Sequence, residues 1–474
     1  MKFKQLAAVG LVTAMVFSAA GCSSKSQQTE SSAAQAEKTP ENSQEKAQGG
    51  EPVEIVYLNS HADVWEGDVG KEIIQKFEES HPGIKVKTES YPFDQMIEMV
   101  EVKMKSKLSD FDVLNVDAPL VTSYSVRGYL EPFENYMSRD ELDKVFTQTG
   151  LNAAAYDGKV MTAPKRESGM IMVYNKDILD ENNIPYPAYE TDKRMTWEEC
   201  LDICRQVTKV ENGTTTCWGI IGDQINRVWN VMPLANSLGA AWLSEDGLTA
   251  TGYLNSEASV KAMTFYQDLF NKYGVSPKGV NTNEAREMFE TGKVAFTWGD
   301  PVCYARAKGK GINVGVCPVP YFEGGVPAVG CDSWHIGINA NSKHKEEAAE
   351  FIKYITVGEG SSIFLDSQNN IGANMERIAR ITDASAPDHE VYALLASDLE
   401  NYSVSRPKTP GYNEWSDVVN AAIEDIRNGA DVKTTLDTSA ARIDDILKKY
   451  TKKLKRHKLT LEERIRPNGY VLLK

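Results

Sequence analysis

Apolar positions recur with two different periods near the start of the chain, and each change of period marks a predicted element. Val53–Leu58 is a mostly apolar run, which indicates a buried β-strand. Ile73, Ile74 and Phe77 then form an apolar stripe, because three- and four-residue spacing places side chains on one helical face. Ile84–Thr88 alternates between apolar and polar residues, as a half-buried strand does.

The same change of period repeats further along the chain. Met96–Leu108 favours a helix and Phe111–Val116 a strand, so the start of the body has the order β-α-β-α-β. This order predicts an α/β fold with a largely parallel sheet, whose ligands bind at the carboxyl ends of the strands. Further patterns predict strands at 160–164 and 170–174 and helices at 256–273, at 345–354 and over much of 385–450.

The N-terminus has the pattern of a secretory leader. Lys2 and Lys4 precede the apolar run Leu6–Phe17, which is too short for a permanent membrane span. Ser18-Ala-Ala-Gly-Cys22 follows, and it resembles a bacterial lipobox. That resemblance implies a signal peptide at 1–21, cleavage before Cys22 and a lipid (diacylglycerol and palmitate-type acyl chains) on the cysteine. An ordinary secretory signal with an incidental cysteine is the alternative.

The segment after the leader is polar. Residues 23–51 are mainly Ser, Gln, Ala, Glu and Lys, a composition that cannot bury enough apolar surface to offset the entropy of ordering. We therefore expect 22–52 to be a disordered tether that holds the body at the outer face of the cell membrane. The remaining residues are numerous enough for two lobes or more.

Charge and cysteine content narrow the class of partner. The net charge is -15, and it becomes -17 once Lys2 and Lys4 leave with the leader. An acidic body argues against nucleic acid as a partner. Outside Cys22 there are six cysteines, an even number that permits disulfides without specifying their pairing. Cys200, Cys204 and Cys217 resemble half of a metal site, but no nearby histidine completes it, so no metal is expected.

Segments spread along the body carry a family resemblance. Lys76-Phe-Glu-Glu-Ser-His-Pro-Gly-Ile-Lys-Val86 is similar to the opening signature of the family 1 extracellular solute-binding proteins, the maltose-binding-protein group. Later segments agree with that family in the same order, namely Tyr156–Pro164, Tyr174–Asp177, Thr196–Glu199, Phe289–Phe296, Gly337–Ser342, Glu346–Ile352 and Gly429.

The resemblance implies a two-lobed periplasmic-binding-protein-like fold with a hinge and an interlobe cleft. By analogy, lobe one is 53–166 plus 335–374, and lobe two is 167–334 plus 375–450. The implied function is capture of a mono- or oligosaccharide by cleft closure and delivery to the permease subunits of an ABC importer. A monomer without cofactor or catalytic residue is expected.

Sugars present apolar ring faces and a belt of hydroxyl groups, so aromatic, carboxylate, amide and guanidinium side chains are the candidate ligand groups. His61, Asp63 and Trp65 follow the first predicted strand, where ligands bind in such sheets. A capped helix start with a packed tryptophan would explain them equally well. Asp117 follows the strand Phe111–Val116, and helix capping is its alternative role.

Other candidates fall at the implied crossings and in the second lobe. Arg166, beside Glu167 and Ser168, lies at the first crossing, although a surface salt bridge would also explain it. The family often has a stacking aromatic residue where this chain has Val302, so Trp298 or Tyr304 is expected to replace it. The candidates in this part of the chain are Trp229, Trp242, Trp298, Asp300, Asp332, Trp334, Tyr412 and Trp415. Core packing is the alternative role for each of the tryptophans.

Two other functions compete with sugar capture. A glycoside hydrolase would need two carboxylates about 5–10 Å apart, and Asp63, Asp117, Asp300 and Asp332 supply candidates. The sequence lacks a Gly-x-Ser-x-Gly, His-Glu-x-x-His or phosphate-loop motif. The same fold could also bind a peptide, a polyamine, a metal complex or an anion.

The chain continues past the family resemblance as a basic extension, 451–474. A basic run on an acidic protein could contact anionic wall polymer or lipid. The simpler interpretation is a solvated helical extension with a frayed end. Neither interpretation places the extension in the cleft.

Overall fold

The computed structural model describes residues 51–464, apart from the side chains of 93, 94, 168, 332, 333 and 452–464. The predicted leader, Cys22, the tether as far as residue 50 and the last ten residues of the basic extension lie outside the described residues. The candidate Asp332 is described only through its backbone.

The first sheet has the strand order β14-β13-β3-β1-β2, with β4 and β7 also paired to β13. β1 pairs in parallel with both β2 and β3, while β13 runs antiparallel to β3. The predicted β-α-β-α-β start is therefore confirmed, in a sheet that is mixed rather than largely parallel. Its strands are β1 (Val53–Asn59), β2 (Ile84–Ser90), β3 (Val113–Asp117), β4 (Leu130–Glu131), β7 (Ala163–Gly169), β13 (Val329–Asn339) and β14 (Ser403–Ser405).

The second sheet has the order β12-β8-β11-β10-β9. Only β10 and β11 pair in parallel among its neighbours, so this sheet is also mixed. Its strands are β8 (Ile171–Asn175), β9 (Lys209–Glu211), β10 (Thr214–Gly222), β11 (Val294–Gly299) and β12 (Val314–Cys317). A separate hairpin consists of β5 (Ala155–Tyr156) and β6 (Lys159–Val160).

The helices that follow the early strands are amphipathic, and they bury the apolar stripe that the sequence shows. In α2, Ile73 and Phe77 are buried while the neighbouring Lys and Glu side chains remain at the surface. The helices of the first half are α1 (Ala62–Trp65), α2 (Asp68–Ser80), α3 (Phe93–Lys105), α4 (Leu120–Arg127), α5 (Arg139–Val145), α6 (Gln148–Ala154), α7 (Lys176–Glu181), α8 (Trp197–Val207) and α9 (Val228–Ser237).

Helices dominate the second half. Local side-chain chemistry marks where some helices begin. In α8, for example, Thr196 and Glu199 form a reciprocal capping box at the first turn. The later helices are α10 (Glu257–Asn271), α11 (Thr282–Glu290), α12 (Val302–Gly309), α13 (Lys345–Thr356), α14 (Glu359–Ser367), α15 (Met375–Thr382), α16 (His389–Tyr402), α17 (Tyr412–Arg427) and α18 (Val432–Arg464).

The chain passes from one sheet to the other at two places. β7 belongs wholly to the first sheet and β8 to the second, so only Met170 separates them. The return runs through 318–328, between β12 and β13. These passages fall a few residues from the expected boundaries at 166 and 335, because the antiparallel pairing of β7 with β13 keeps both strands in the first sheet. The lobe boundaries themselves stay a prediction.

The six cysteines of the described part are all free thiols, and five of them are buried. The Sγ atoms of Cys200 and Cys204 lie 4.0 Å apart on one face of α8. Burial raises the pKa of the Cys204 thiol well above its ordinary value, so this sulfur is protonated and unreactive.

No helix within 51–464 is both long and apolar enough to cross a bilayer. In the same part of the chain, no group of three His, Cys, Asp or Glu side chains could hold a metal ion.

Candidate functional site

One cleft has a volume of about 1270 Å³ and is lined by residues from both sheets and from the C-terminal helices. Asp117 and Trp334 come from the first sheet, and Asp223 and Asp300 follow strands of the second. Asn413 and Asn420 come from α17. A cleft at the ends of two sheets is where ligands bind in open α/β folds.

Three aspartates stand at strand ends around this cleft, and each is held by arginine. Asp117 ends β3, Asp223 follows β10, and Asp300 follows β11. A carboxylate at a strand end is aimed into the cleft by the strand itself. Charge-assisted bonds to guanidinium groups then keep it in one orientation without removing its remaining acceptor capacity.

Arg166 and Asp300 form an ion pair at the floor of the cleft. Arg166 lies on β7 of the first sheet, whereas Asp300 follows β11 of the second. Both side chains are largely buried, at 12% and 9% exposed. The pair therefore connects the two sheets at the point where a ligand would touch both.

Arg406 holds Asp117 with two parallel bonds. Its Nη1 lies 2.8 Å from Oδ2 and its Nη2 lies 2.6 Å from Oδ1. The same Nη1 also donates to the Tyr412 hydroxyl at 3.1 Å. This fork geometry specifies the position of the carboxylate, and it leaves Tyr412 at the cleft wall.

Asp223 accepts bonds from two arginines. Arg286 Nε and Nη2 each approach it at 3.1 Å, and Arg306 Nη2 approaches at 2.6 Å. A Cβ atom at Gly299 would lie only 2.4 Å from the Asp223 Cβ, so glycine allows the ends of β10 and β11 to lie this close. The result is a fixed wall of alternating charge on the second sheet.

His61 is a neutral hydrogen-bonding group in the cleft. Its Nδ1 lies 3.3 Å from Asn115 Nδ2, a nitrogen that can only donate, so Nδ1 is the acceptor and Nε2 carries the proton. Burial, together with the nearby Lys165 and Arg166 cations, holds the pKa of His61 well below its ordinary value. The ring also lies edge-on to Trp334, with centroids 5.1 Å apart.

Five of the candidates from the sequence line the cleft. Trp229 and Trp334 supply aromatic surface, while Asp117, Arg166 and Asp300 supply hydrogen-bonding groups. His61 and Tyr412, also considered from the sequence, join them. Contact with a ligand stays a prediction for all of these residues.

Four of the candidates from the sequence, Asp63, Trp65, Trp298 and Trp415, do not line the cleft. Trp65 is buried against Tyr57 and Phe364, because α1 turns its ring into the core. Asp63 faces solvent on the opposite side of this single helical turn.

Trp298 and Trp415 are also core residues. Trp298 donates its Nε1–H to the Asn230 carbonyl at 3.0 Å and packs edge-on to Trp197. Trp415 lies one helical turn past Tyr412, on the buried face of α17. Trp242, weighed from the sequence, is buried as well, and Tyr304 bonds to Asp388 away from the cleft lining.

Several cleft residues were missed by sequence reasoning. Asp223 follows a strand just as Asp117 does, so the same signal would have found it. Arg286, Arg306 and Arg406 carry no local signal, because helices and loops distant in sequence bring them to the aspartates. Charged groups of both signs therefore alternate around the cleft, namely Arg166, Arg227, Arg286, Arg306 and Arg406 with Glu98, Glu101, Asp117, Asp223, Asp300 and Asp417.

Comparison with known proteins gives a consistent result. Residues 60–359 match the family model for bacterial extracellular solute-binding proteins. The chain is 25% identical over 390 residues to a binding protein of Brucella abortus, with 81% of this chain and 90% of the relative covered. It is 24% identical over 380 residues to the galactooligosaccharide-binding protein of Bacillus subtilis, with 78% and 84% covered.

Solved structures show the same fold. An ABC substrate-binding protein of Listeria monocytogenes in complex with cycloalternan superimposes with a TM-score of 0.72 at 22% sequence identity. The alignment covers 84% of this chain and 99% of that one. The two-lobed arrangement expected from the sequence is thereby confirmed.

Proposed function

Because the chain belongs to the bacterial extracellular solute-binding protein family, we propose that it captures a carbohydrate in its cleft and delivers it to the permease subunits of an ABC importer. The relatives with named ligands include binding proteins for galactooligosaccharide and maltodextrin. The observation that carries the proposal is the combination of oriented aspartate–arginine pairs with aromatic surface in one cleft.

This combination suits a neutral polyhydroxylated solute. Aspartate oxygens accept from sugar hydroxyls, guanidinium and amide groups donate to them, and Trp229 and Trp334 can cover ring faces. The charges around the cleft nearly balance, with five guanidinium groups against six carboxylates among the described lining residues. An anion or a polyamine would favour a cleft with a clear excess of one sign.

The Arg166–Asp300 pair couples binding to closure. A ligand that contacts both groups gains interactions from both sheets only when the two sheets come together around it. Such differential affinity is what shifts a population toward the closed form. The two passages between the sheets, Met170 and 318–328, are the segments that would flex.

As an extracellular solute-binding protein, the chain functions outside the cytoplasm. Lipidation of Cys22 would hold it at the outer face of the cell membrane beside the permease, since two or three acyl chains anchor a protein firmly. The body would act as a monomer, without cofactor.

Binding without catalysis fits the hydrogen bonds that the cleft carboxylates make. A glycoside hydrolase needs one carboxyl group that holds a proton for the leaving oxygen. Asp117, Asp223 and Asp300 each accept charge-assisted hydrogen bonds from a guanidinium group. Such groups are suited to accept hydrogen bonds from a solute.

The test is a thermal-shift and calorimetry screen of the full mature protein against solute classes. We expect neutral oligosaccharides to raise the melting temperature. At a hundredfold excess over Kd, the bound sugar should add about 2.7 kcal/mol to the free energy of unfolding. Small-angle scattering of the same samples should show a smaller particle with the bound sugar. Stabilisation by a peptide, polyamine or anion and by no sugar would contradict the proposal, as would release of reducing sugar from the ligand.

A further inference from the structure

Helix α18 is the longest helix of the described chain, and its two halves differ in chemistry. The first half packs against α10 and α17. It does so through a stripe of buried side chains spaced three or four residues apart, namely Leu436, Ala440, Ile443, Leu447 and Tyr450. The backbone then stays helical as far as Arg464. At a rise of about 1.5 Å per residue, the helix continues for about 21 Å beyond Tyr450.

The part of the chain beyond Tyr450 is strongly basic, in contrast to the rest of the protein. Residues 451–474 contain eight Lys and Arg residues and two Glu residues, a net charge of +6. The whole chain has a net charge of -15, so residues 22–450 carry -23 once Lys2 and Lys4 leave with the leader. Five of the cations are clustered, namely Lys452, Lys453, Lys455, Arg456 and Lys458. They occupy only about 9 Å of helix, which suits this segment to an anionic surface.

Apolar residues are interleaved with these cations at helical spacing. Leu454 and Leu461 follow the buried Leu447 at intervals of seven residues, and seven residues make nearly two turns. The three positions therefore fall on one face of α18, with basic residues on both sides of Leu454. A basic helix with an apolar face is typical of a segment that lies at a lipid surface. A water-soluble polyanion would satisfy the cations and leave the leucines in water.

α18 leaves the body at the edge of the first sheet where its parallel strands begin. α3 runs from the carboxyl end of β2 to the start of β3, so its last residues lie toward that edge. Tyr450 lines one groove with Met104 and Lys105 of α3. Its hydroxyl also lies 3.1 Å from Nη2 of Arg127. Arg127 is the last residue of α4, a helix that starts beside Asp117 at the opposite, carboxyl end of β3.

The predicted tether joins the body at the same edge, because Val53 is the first residue of β1. As a flexible chain, residues 22–52 would span about 30 Å on average. The helix beyond Tyr450 is of similar length, about 21 Å. A lipid on Cys22 would therefore keep this edge of the body, and the basic extension with it, within reach of one membrane surface.

We propose that residues 451–464 of α18 are a second membrane contact, which binds the headgroups of anionic phospholipids. The tether raises the effective concentration of the extension near the bilayer, so weak contacts suffice. A polybasic segment alone binds lipid reversibly, and in combination with acyl chains it makes attachment stable. This inference goes beyond solute capture and does not depend on which solute the cleft takes.

The experiment measures vesicle binding by the mature chain, residues 22–474, with Cys22→Ser so that no acyl chain contributes. Vesicles of phosphatidylglycerol, which is anionic, are compared with vesicles of phosphatidylcholine, which has no net charge. The ionic strength is set to about 0.01 M and to about 1 M, because the Debye length falls from about 30 Å to about 3 Å between them.

Two variants with the same net charge separate the extension from the body. The extension variant replaces its five clustered cations with Gln, a residue that also favours helix, namely Lys452, Lys453, Lys455, Arg456 and Lys458. The control variant replaces five body lysines with Gln, each more than half exposed, namely Lys71, Lys193, Lys272, Lys308 and Lys433. Truncation after Tyr450 provides a second test of the extension, and thermal melting verifies that every protein is folded.

At low salt the parent protein should bind phosphatidylglycerol vesicles at least tenfold more tightly than the extension variant and the truncated protein do. The control variant should bind as the parent does, and high salt should release both. Equal binding by parent and extension variant, or equal binding to both lipids, would overturn the proposal. Tighter binding to soluble poly(glycerol phosphate) than to the vesicles would also overturn it, in favour of an anionic wall polymer.

Discussion

The guanidinium group of Arg166, on β7, is paired with the carboxylate of Asp300, which follows β11 in the other sheet. These residues are 134 positions apart in the chain, and their pairing is made by the folded structure alone. Both residues line the cleft.

Replacing Arg166 with Gln should weaken solute binding by about 2–5 kcal/mol, because the cleft loses the charged group that orients Asp300 and can itself donate to the solute. Calorimetry with the solute found in the screen measures the loss. Arg139→Gln is the matched control, since its ion pair with Asp143 is exposed to solvent and lies outside the cleft lining. Equal affinities of the two variants would show that the Arg166–Asp300 pair has no part in binding.

Truncating Trp334 should mainly weaken sugar binding, whereas truncating Trp298 should mainly lower the stability of the fold. Trp334 lines the cleft, so Trp334→Ala should weaken sugar binding by about 1–3 kcal/mol with a modest loss of stability. Trp298 is in the core, so Trp298→Ala should cost about 3–5 kcal/mol of the free energy of unfolding. Denaturant unfolding and calorimetry separate the two effects. Normal binding by a folded Trp334→Ala protein would remove this residue from the site.

Glu167 should make the protein less stable as the pH rises. Burial raises the pKa of this carboxyl from 4.5 to about 7, against the opposing hydrogen bond from Thr147. The folded state therefore keeps a proton that the unfolded state releases, so stability is full below pH 4.5 and falls as the pH rises to about 7.

Glu167→Gln should remove this loss, since an amide stays neutral. At pH 8 the variant should be more stable than the wild type by roughly 3 kcal/mol, with the advantage absent at pH 4.5. Melting temperatures of both proteins across this pH range measure the difference in stability. Glu141→Gln, at a fully exposed capping position, is the control for a change of charge alone. Parallel pH profiles of wild type and Glu167→Gln would contradict the prediction.

Cys22→Ser should abolish membrane anchoring, because serine cannot form the thioether to the lipid. In the native host, fractionation should then find the protein in the medium or as an uncleaved precursor. Ser23→Ala, one residue further along, should leave fractionation unchanged. Detergent-dependent partitioning of the Cys22→Ser protein would refute lipidation.

Truncation after Tyr450 should leave solute affinity unchanged. The described lining residues of the cleft end at Asn420, and the sequence predicts that the basic extension 451–474 lies outside the cleft. Calorimetry on the truncated and full-length mature proteins compares them directly. A tenfold loss of affinity in a truncated protein with a normal melting profile would place the extension in the site.

Sequence alone determined the elements and the family. Periodicity located β1, α2, β2, α3 and β3. Core-facing side chains recur about every 3.6 residues in a helix and every second residue in a strand, so the spacing of apolar residues reveals the local structure. The ordered family segments indicated the two-lobed fold. Asp117 was found because the end of a strand is itself a local feature.

Tertiary structure decided which of these residues meet. Trp334 and Trp298 look alike in sequence, and only the tertiary packing leaves Trp334 partly exposed in the cleft lining and buries Trp298 in the core. Arg406 reaches Asp117 across 289 positions, a separation that no local pattern encodes. Periodicity reports burial along one element, whereas a binding site depends on the relative placement of elements, which long-range packing determines.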